Sequence, residues 1–263
     1  DIFSVFFKMK KIKSIAYTVT NYAYLHKAIA LKKSFQKNNN LRLRIFLFEE
    51  KNNIPNNIYS NEYEFLSDLK IHNYYQLAFK YNVTEFTTSL KPTISLKLLQ
   101  KYDKVLFFDP DTFIYNSVNQ ILKKLDKYSI VLTPHSIHHE DHNSIYPDSS
   151  FLKYGVFNLG FFGVNASKDS INFLKWWEKR CLNQCYFEVH NGLSTDQKWI
   201  NIAHAFFNNI FIDKSPSLNV AYWNIKRRKF SQKDTSIYVG NTKLVFIHYS
   251  NFPDKIENFL STR

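Results

Sequence analysis

Four consecutive apolar residues, Val105-Leu106-Phe107-Phe108, run directly into Asp109-Pro110-Asp111. A strand with one wet face alternates apolar and polar residues, so an uninterrupted run reads as a strand covered on both faces. Proline has no N–H to give a neighbouring strand, and it ends the ladder. The chain must therefore place layers on both sides of a sheet. Side chains two apart on an extended backbone point the same way. Asp109 and Asp111 are thus expected to face one point at the carboxyl end of the strand, where open α/β sheets place ligands. Two carboxylates that close repel each other unless a cation lies between them, and oxygen ligands of this kind suit Mg²⁺ or Mn²⁺. Asp-Pro-Asp is also common turn and capping chemistry, so the choice depends on the rest of the chain.

The surroundings support an α/β fold. Lys13 to Thr20 reads as a first strand, and Tyr24, Leu25, Ala28, Ile29, Leu31 and Phe35 recur at helical spacing after it. Leu41 to Phe48 then turns strand-like, a β-α-β opening typical of a parallel sheet. Further on, Tyr63–Tyr81 and Thr87–Tyr102 are expected as helices, with Pro92 near the start of the second. Val118–Leu125 is expected as a short helix and Tyr128–Thr133 as a strand in the same sheet. Pro134 to Lys153 reads as a long polar loop carrying His135, His138, His139, Glu140, Asp141 and His142. Phe157–Val164 is expected as a strand, Lys168–Leu182 and Asp196–Phe207 as helices, and Leu244–His248 as a last buried strand.

A chain of 263 residues with 44% apolar content can bury a substantial core. It is expected to form a single domain over residues 1–263. Residues 1–10 read as a tag, a linker or the start of a fragment, since the chain begins at Asp1 and its one methionine is Met9. Lys and Arg number 35 against 22 Asp and Glu, a surplus of 13 that attracts phosphates, nucleotides, acidic lipids or nucleic acid. No apolar run approaches the roughly 20 residues of a spanning helix, and Ile2–Phe7 is short for a signal-peptide core. Cys181 and Cys185 fall on one face of an expected helix and read as packed, reduced thiols, which points to a reducing compartment.

Taken in order, VLFFDPDTFIYNS, GVFNLGFFGV, STDQKWIN, LNVAYWN and LVFIHYSNF resemble the blocks of GT-A-fold glycosyltransferases, close to the glycogenin-like and lipopolysaccharide α-hexosyltransferase group. The resemblance runs from about Lys13 to Phe252. It implies a single GT-A, Rossmann-like α/β domain with a mostly parallel central sheet flanked by helices. It also implies a UDP-sugar donor, Mn²⁺ or Mg²⁺, and transfer of a hexose to a glycan or lipid-linked hydroxyl with retained configuration, as in polysaccharide biosynthesis. Asp111 is then implied to bind metal, Asp109 metal and ribose, and His248 to complete the metal shell. Lys91 matches a position that contacts the donor phosphates or sugar, although a solvated lysine reads the same way in sequence.

By the same resemblance Tyr17, Thr18, Asn21 and Tyr22 sit where base and ribose are cradled, with Tyr17 either stacking on uracil or packing in the core. Asn158 and Gly160 match the block lining the donor-sugar pocket, and Asp196 and Gln197 the pair that reaches the transferring sugar. Asp196 would otherwise be a helix cap. Tyr222 and Trp223 read as an acceptor platform or as core packing. The chain departs from the pattern at Asn251, where many relatives have glycine near the phosphates. The expected location is cytoplasmic, at the inner face of a membrane, and no nucleic-acid partner is expected.

Competing readings remain. A D-x-D phosphatase would use Asp109 as nucleophile and want Thr or Val where Phe113 stands. The His138–His142 cluster suggests a transition metal, but adjacent ligands rarely converge on one ion, and an acceptor-binding loop fits better. The basic stretches Lys8–Lys13 and Lys226–Lys229 suggest a nucleic-acid-binding protein, and a catalytically inactive sugar-binding protein of the same fold is the other alternative.

Overall fold

A computed structural model describes residues 12–50, 53–54 and 61–252. The expected tag or fragment start at 1–10 and most of the Lys8–Lys13 stretch lie outside the described residues. In chain order the elements are β1 (Ile12–Thr20), α1 (Leu25–Asn38), β2 (Leu43–Leu47), β3 (Glu64–Phe65), α2 (Tyr74–Lys80), α3 (Val83–Ser89), α4 (Lys91–Leu99) and β4 (Tyr102–Phe108). There follow β5 (Thr112–Ile114), α5 (Asn119–Lys124), β6 (Ile130–Pro134), α6 (Asp148–Tyr154), β7 (Phe157–Asn165), α7 (Lys168–Gln184), α8 (Gln197–Ile200) and β8 (Ile210–Ile212). The last strands are β9 (Phe230–Lys233), β10 (Ser236–Val239), β11 (Thr242–Lys243) and β12 (Phe246–His248).

Seven strands form the central sheet in the order β3-β2-β1-β4-β7-β6-β8. It is mostly parallel, with β7 antiparallel to both its neighbours. From β1 the chain adds β2 and β3 on one side and then returns to lay β4 on the other. The sheet order thus reverses between β1 and β4, and a crevice opens at their carboxyl ends. The apolar run of β4 is explained by its two faces. Val105 and Phe107 enter one core with Tyr17, Leu132, Phe162 and Trp177, whereas Leu106 and Phe108 enter another with Ala28, Phe35, Ile121 and Phe246. Each such buried side chain contributes about 1.5–3 kcal/mol.

Several expected elements are interrupted. The region expected as one helix from Tyr63 to Tyr81 is β3, a 3₁₀ turn (Leu66–Leu69) and α2. Lys70 and Asn73 have φ of 50° and 56°, which no α-helix accommodates. The helix expected over Thr87–Tyr102 is two helices, α3 and α4, and α3 starts earlier, on a capping box formed by Asn82 and Glu85. Pro92 does lie in the first turn of α4. The polar loop from Pro134 contains α6, and the Asp196–Phe207 helix reduces to α8 and a 3₁₀ turn. The final strand pairs with β5, outside the main sheet. Cys181 and Cys185 are free and buried. No helix among the described residues is long and apolar enough to cross a membrane.

Candidate functional site

The N–H of Asp109 still donates to the Gly160 carbonyl at 2.8 Å, prolonging the β4–β7 ladder. One residue later the chain turns about Pro110, and the Asp109 carbonyl accepts from the Thr112 N–H at 3.1 Å. The two carboxylates do converge, but through this turn and not through strand alternation. β5 then leaves the turn and pairs with β12, which sets His248 opposite Thr112. The Tyr249 N–H donates to the Asp111 carbonyl at 2.8 Å and ties the last strand to the acidic turn. His248 Nε2 lies 3.1 Å from Asp111 Oδ1 and 3.7 Å from Asp109 Oδ2.

One ligand atom from each of Asp109, Asp111 and His248 lies within 4.8 Å of the others. Two carboxylates and an imidazole nitrogen facing one point suit Mn²⁺ or Mg²⁺. The local electrostatics favour positive charge there. Burial pushes the Asp111 carboxyl upward, but the His248 ring beside it wins and holds it below the usual carboxylate range. Burial likewise disfavours a charged His248, yet Asp111 and Asp109 outweigh it and raise the imidazole.

Gly160 makes room for His248. A Cβ at this position would lie 2.4 Å from His248 Cε1 and 2.7 Å from Asn158 Oδ1. Asn158 lies between two imidazoles. Its Oδ1 is 3.1 Å from His248 Nδ1 and accepts from the Gly160 N–H at 3.2 Å, while its Nδ2 is 3.2 Å from His135 Nε2.

Lys91 is not a solvated lysine: only 3% of it is exposed. Its Nζ donates to the Leu159 carbonyl at 2.9 Å and pairs with Asp196 Oδ2 at 3.1 Å and Asp109 Oδ1 at 3.4 Å. Lys91 thus lies between two carboxylates, and it also lines both cavities of the crevice. Burial alone would depress its pKa, but Asp109 and Asp196 reverse the sign and raise it. Burial raises the Asp196 carboxyl, against the opposing pull of Lys91. The Asp196 side chain does not cap α8. Its Oδ1 accepts from Thr195 Oγ1 at 3.1 Å, and its carbonyl from Trp177 Nε1 at 2.9 Å.

Tyr17 is a correction. It is fully buried between Phe46 and Phe107, and its hydroxyl bonds to the Lys91 carbonyl and to Ser95, so it cannot stack on a base. Thr18 is also fully buried and lines no part of the crevice, because successive side chains on β1 enter the two cores. Asn21 does line a pocket of about 300 Å³ at the carboxyl ends of β1, β2 and β4, together with Tyr24, Phe48 and Lys91. Its Oδ1 also accepts from the Tyr24 N–H. Tyr22 packs on the second core instead, its N–H donating to Glu49. Tyr24 and Phe48 are the pocket aromatics that the sequence did not single out.

That pocket adjoins a cleft of about 710 Å³ that contains Asp109, Asp111, Asn158, Gly160, Asp196, Gln197 and His248. Gln197 Nε2 donates to the Tyr154 carbonyl at 3.0 Å. Tyr146, Tyr222 and Trp223 form one aromatic wall, and Tyr154, stacked on Phe187 with ring planes 7° apart, forms another. Asn251, at the shared rim of the two cavities, has φ of 57°, a left-handed conformation that glycine adopts freely and asparagine tolerates. Among the described residues the His138–His142 stretch supplies no three-ligand cluster. His135, grouped with those loop residues in the sequence, stands apart from them at the end of β6, in contact with Asn158.

No family model matches the chain. Two Bacillus subtilis proteins, both described as uncharacterized, are similar to it over 173 residues, or 64% of this chain: YfnD at 30% identity and YfnF at 25%. The chain spans about half the length of these relatives, 54% and 57% respectively. Among solved structures, the galactosyltransferase LgtC in complex with donor and acceptor sugar analogs matches 89% of this chain and 86% of its own, with a TM-score of 0.53 and 16% identity. Mouse xyloside xylosyltransferase 1 matches 91% and 98%, with a TM-score of 0.53 and 12% identity. The chain has the GT-A glycosyltransferase fold that the ordered sequence blocks imply.

Proposed function

We propose that the protein is a metal-dependent glycosyltransferase, one domain over residues 1–263, moving a hexose from a UDP-sugar to a hydroxyl of a glycan or lipid-linked acceptor. The observation that carries this reading is the convergence of Asp109, Asp111 and His248 where a smaller pocket meets the larger cleft. The smaller pocket, with Asn21, Tyr24 and Phe48, is the place for the nucleoside, and the larger holds the sugar and acceptor. The likeness in fold to LgtC, solved in complex with donor and acceptor sugar analogs, supports a site that takes both a donor and an acceptor.

Bound at the three ligands, Mn²⁺ or Mg²⁺ supplies positive charge to the diphosphate as the glycosidic bond breaks. Lys91 keeps Asp109 and Asp196 fixed throughout, so neither carboxylate has to reorganise. Asp196 and Gln197 line the part of the cleft assigned to the transferring sugar, and the Tyr222–Trp223 wall offers an apolar face to an acceptor ring. Retention is favoured because an inverting enzyme needs a carboxylate base on the acceptor hydroxyl. Asp196 is 2% exposed, with one oxygen held by Lys91 and the other by Thr195. The surplus of 13 positive charges suits acidic, membrane-borne acceptors at the inner face of a cytoplasmic membrane, within polysaccharide biosynthesis.

The test is a calorimetric titration of UDP- and GDP-sugars with and without Mn²⁺. UDP-sugars are expected to bind only with the metal present. If no nucleotide sugar binds in its presence, the transferase reading is wrong. The anomeric configuration of the product, read by NMR, tests retention.

A further inference from the structure

We propose that His135 is a positioning residue for His248, acting through the side-chain amide of Asn158 so that His248 turns an unprotonated Nε2 toward the cation site of Asp109 and Asp111. The inference rests on the metal-dependent reading above.

The Gly160 N–H lies 3.2 Å from Asn158 Oδ1, and a peptide N–H only donates. The oxygen of the amide therefore faces Gly160, and the orientation of the whole group follows. The same oxygen is 3.1 Å from His248 Nδ1, which must then carry the proton. In the neutral ring this leaves Nε2 as a lone pair, aimed at Asp111 and Asp109. A lone pair facing two carboxylates is stable only with a cation among them. At the other end of the amide, Nδ2 can only donate, and His135 Nε2 at 3.2 Å accepts. His135 is thus neutral, with its own proton on Nδ1.

The His135 ring is held independently of this hydrogen bond. Phe151 stacks on it at 5.9 Å and 20°, and Trp223 packs at 5.4 Å and 60°. Its backbone N–H donates to Val156, and its carbonyl accepts from Trp223 Nε1 and Asn224 Nδ2. Burial, helped by the nearby His248, lowers its pKa to about 4, so the ring stays an acceptor at neutral pH. Without that acceptor the Asn158 amide keeps only its Gly160 anchor. A flipped amide would place Nδ2 against His248 Nδ1, move the proton to Nε2 and aim an N–H at the carboxylates where the ligand lone pair belongs.

Two measurements on the whole protein test this: Mn²⁺ affinity by calorimetry, and ¹⁵N imidazole shifts of ¹⁵N-histidine-labelled protein without metal at neutral pH. The wild type should show His248 protonated on Nδ1 and His135 unprotonated on Nε2. His135→Phe keeps the ring packing and removes the acceptor; its Mn²⁺ Kd should rise roughly 10–100-fold, the range for losing a partner of a metal-bound histidine. His135→Gln, whose side-chain carbonyl can accept, should recover most of that affinity, which a purely structural role for the ring would not produce. A wild-type spectrum with the His135 proton on Nε2 would overturn the proposal, and it decides the matter even if His135→Phe fails to fold. So would wild-type Mn²⁺ affinity in a folded His135→Phe protein. Asp111→Ala tests the metal reading separately: if it binds Mn²⁺ like the wild type, the site is wrongly placed, and the proposed role falls with it.

Discussion

Asp109 divides its carboxylate between two neighbours of opposite design. Oδ1 faces Lys91 Nζ at 3.4 Å, and Oδ2 faces His248 Nε2 at 3.7 Å. On the Lys91 side the cation is built in: lysine and Asp196 are buried together, with side chains 4% and 2% exposed. On the His248 side the carboxylates of Asp109 and Asp111 are 27% and 14% exposed, and they share the His248 ring. A buried acid with its own lysine is a closed structural unit. Acids open to a cleft, with one imidazole shared between them, instead draw a cation from solution.

Substitutions at five positions test this division. Lys91→Met strands Asp196 as an uncompensated buried charge and should destabilise the fold by about 3–5 kcal/mol in urea unfolding. Adding Asp196→Asn should restore a large part of that loss. If Lys91→Met alone is neutral, the closed unit is not structural. Asp111→Ala should do the reverse, leaving the unfolding midpoint nearly unchanged while lowering sugar transfer by roughly 10²–10³-fold or more. Equal donor turnover in this variant and the wild type would remove the distinction between the two sides.

Gly160→Ala presses a methyl into His248, and about 10–100-fold weaker Mn²⁺ binding is expected, with the Lys91 side intact. Unchanged metal affinity would mean that the ring position is not critical. The smallest effect is expected at the rim of the open side. Asn251→Ala should cost about 1 kcal/mol for its left-handed backbone, whereas Asn251→Gly should stay within about 0.5 kcal/mol of the wild type. Equal stability of the two variants would show that the conformation relaxes.

The parts of the fold legible in the sequence were those with local cause. β4 and β7 are continuous apolar runs because both sheet faces are covered, and α1 and α7 carry their apolar residues at helical spacing over several turns. The stretch from Tyr63 to Tyr81 misled because its apolar residues fit a helix, while the breaks at Lys70 and Asn73 occur in residues that give little warning of a positive φ. At the site, Asp109, Asp111 and His248 were legible through the order of their blocks, and Asn158, Gly160, Asp196 and Gln197 do reach the same cleft. Tyr17 was ambiguous because an aromatic near a strand end serves a core or a ligand equally well. His135 was hidden among the histidines of the following loop, since nothing local marks which of them a strand end will bury.

The sequence by itself determined a two-sided strand that ends in paired acids, a β-α-β opening and a histidine closing a late apolar strand. These follow from the period of apolar residues and from what proline forbids, both properties of short segments. Only the tertiary structure decided that a turn, not an extended strand, brings the acids together, and that β12 pairs with β5 to deliver His248. It alone showed Lys91 buried between two carboxylates and an asparagine amide joining two imidazoles. Those partners are 18 to 137 residues apart in the chain. The sign of an electrostatic interaction and the direction of a hydrogen bond depend on which groups share a few ångströms, and a linear pattern does not carry that information.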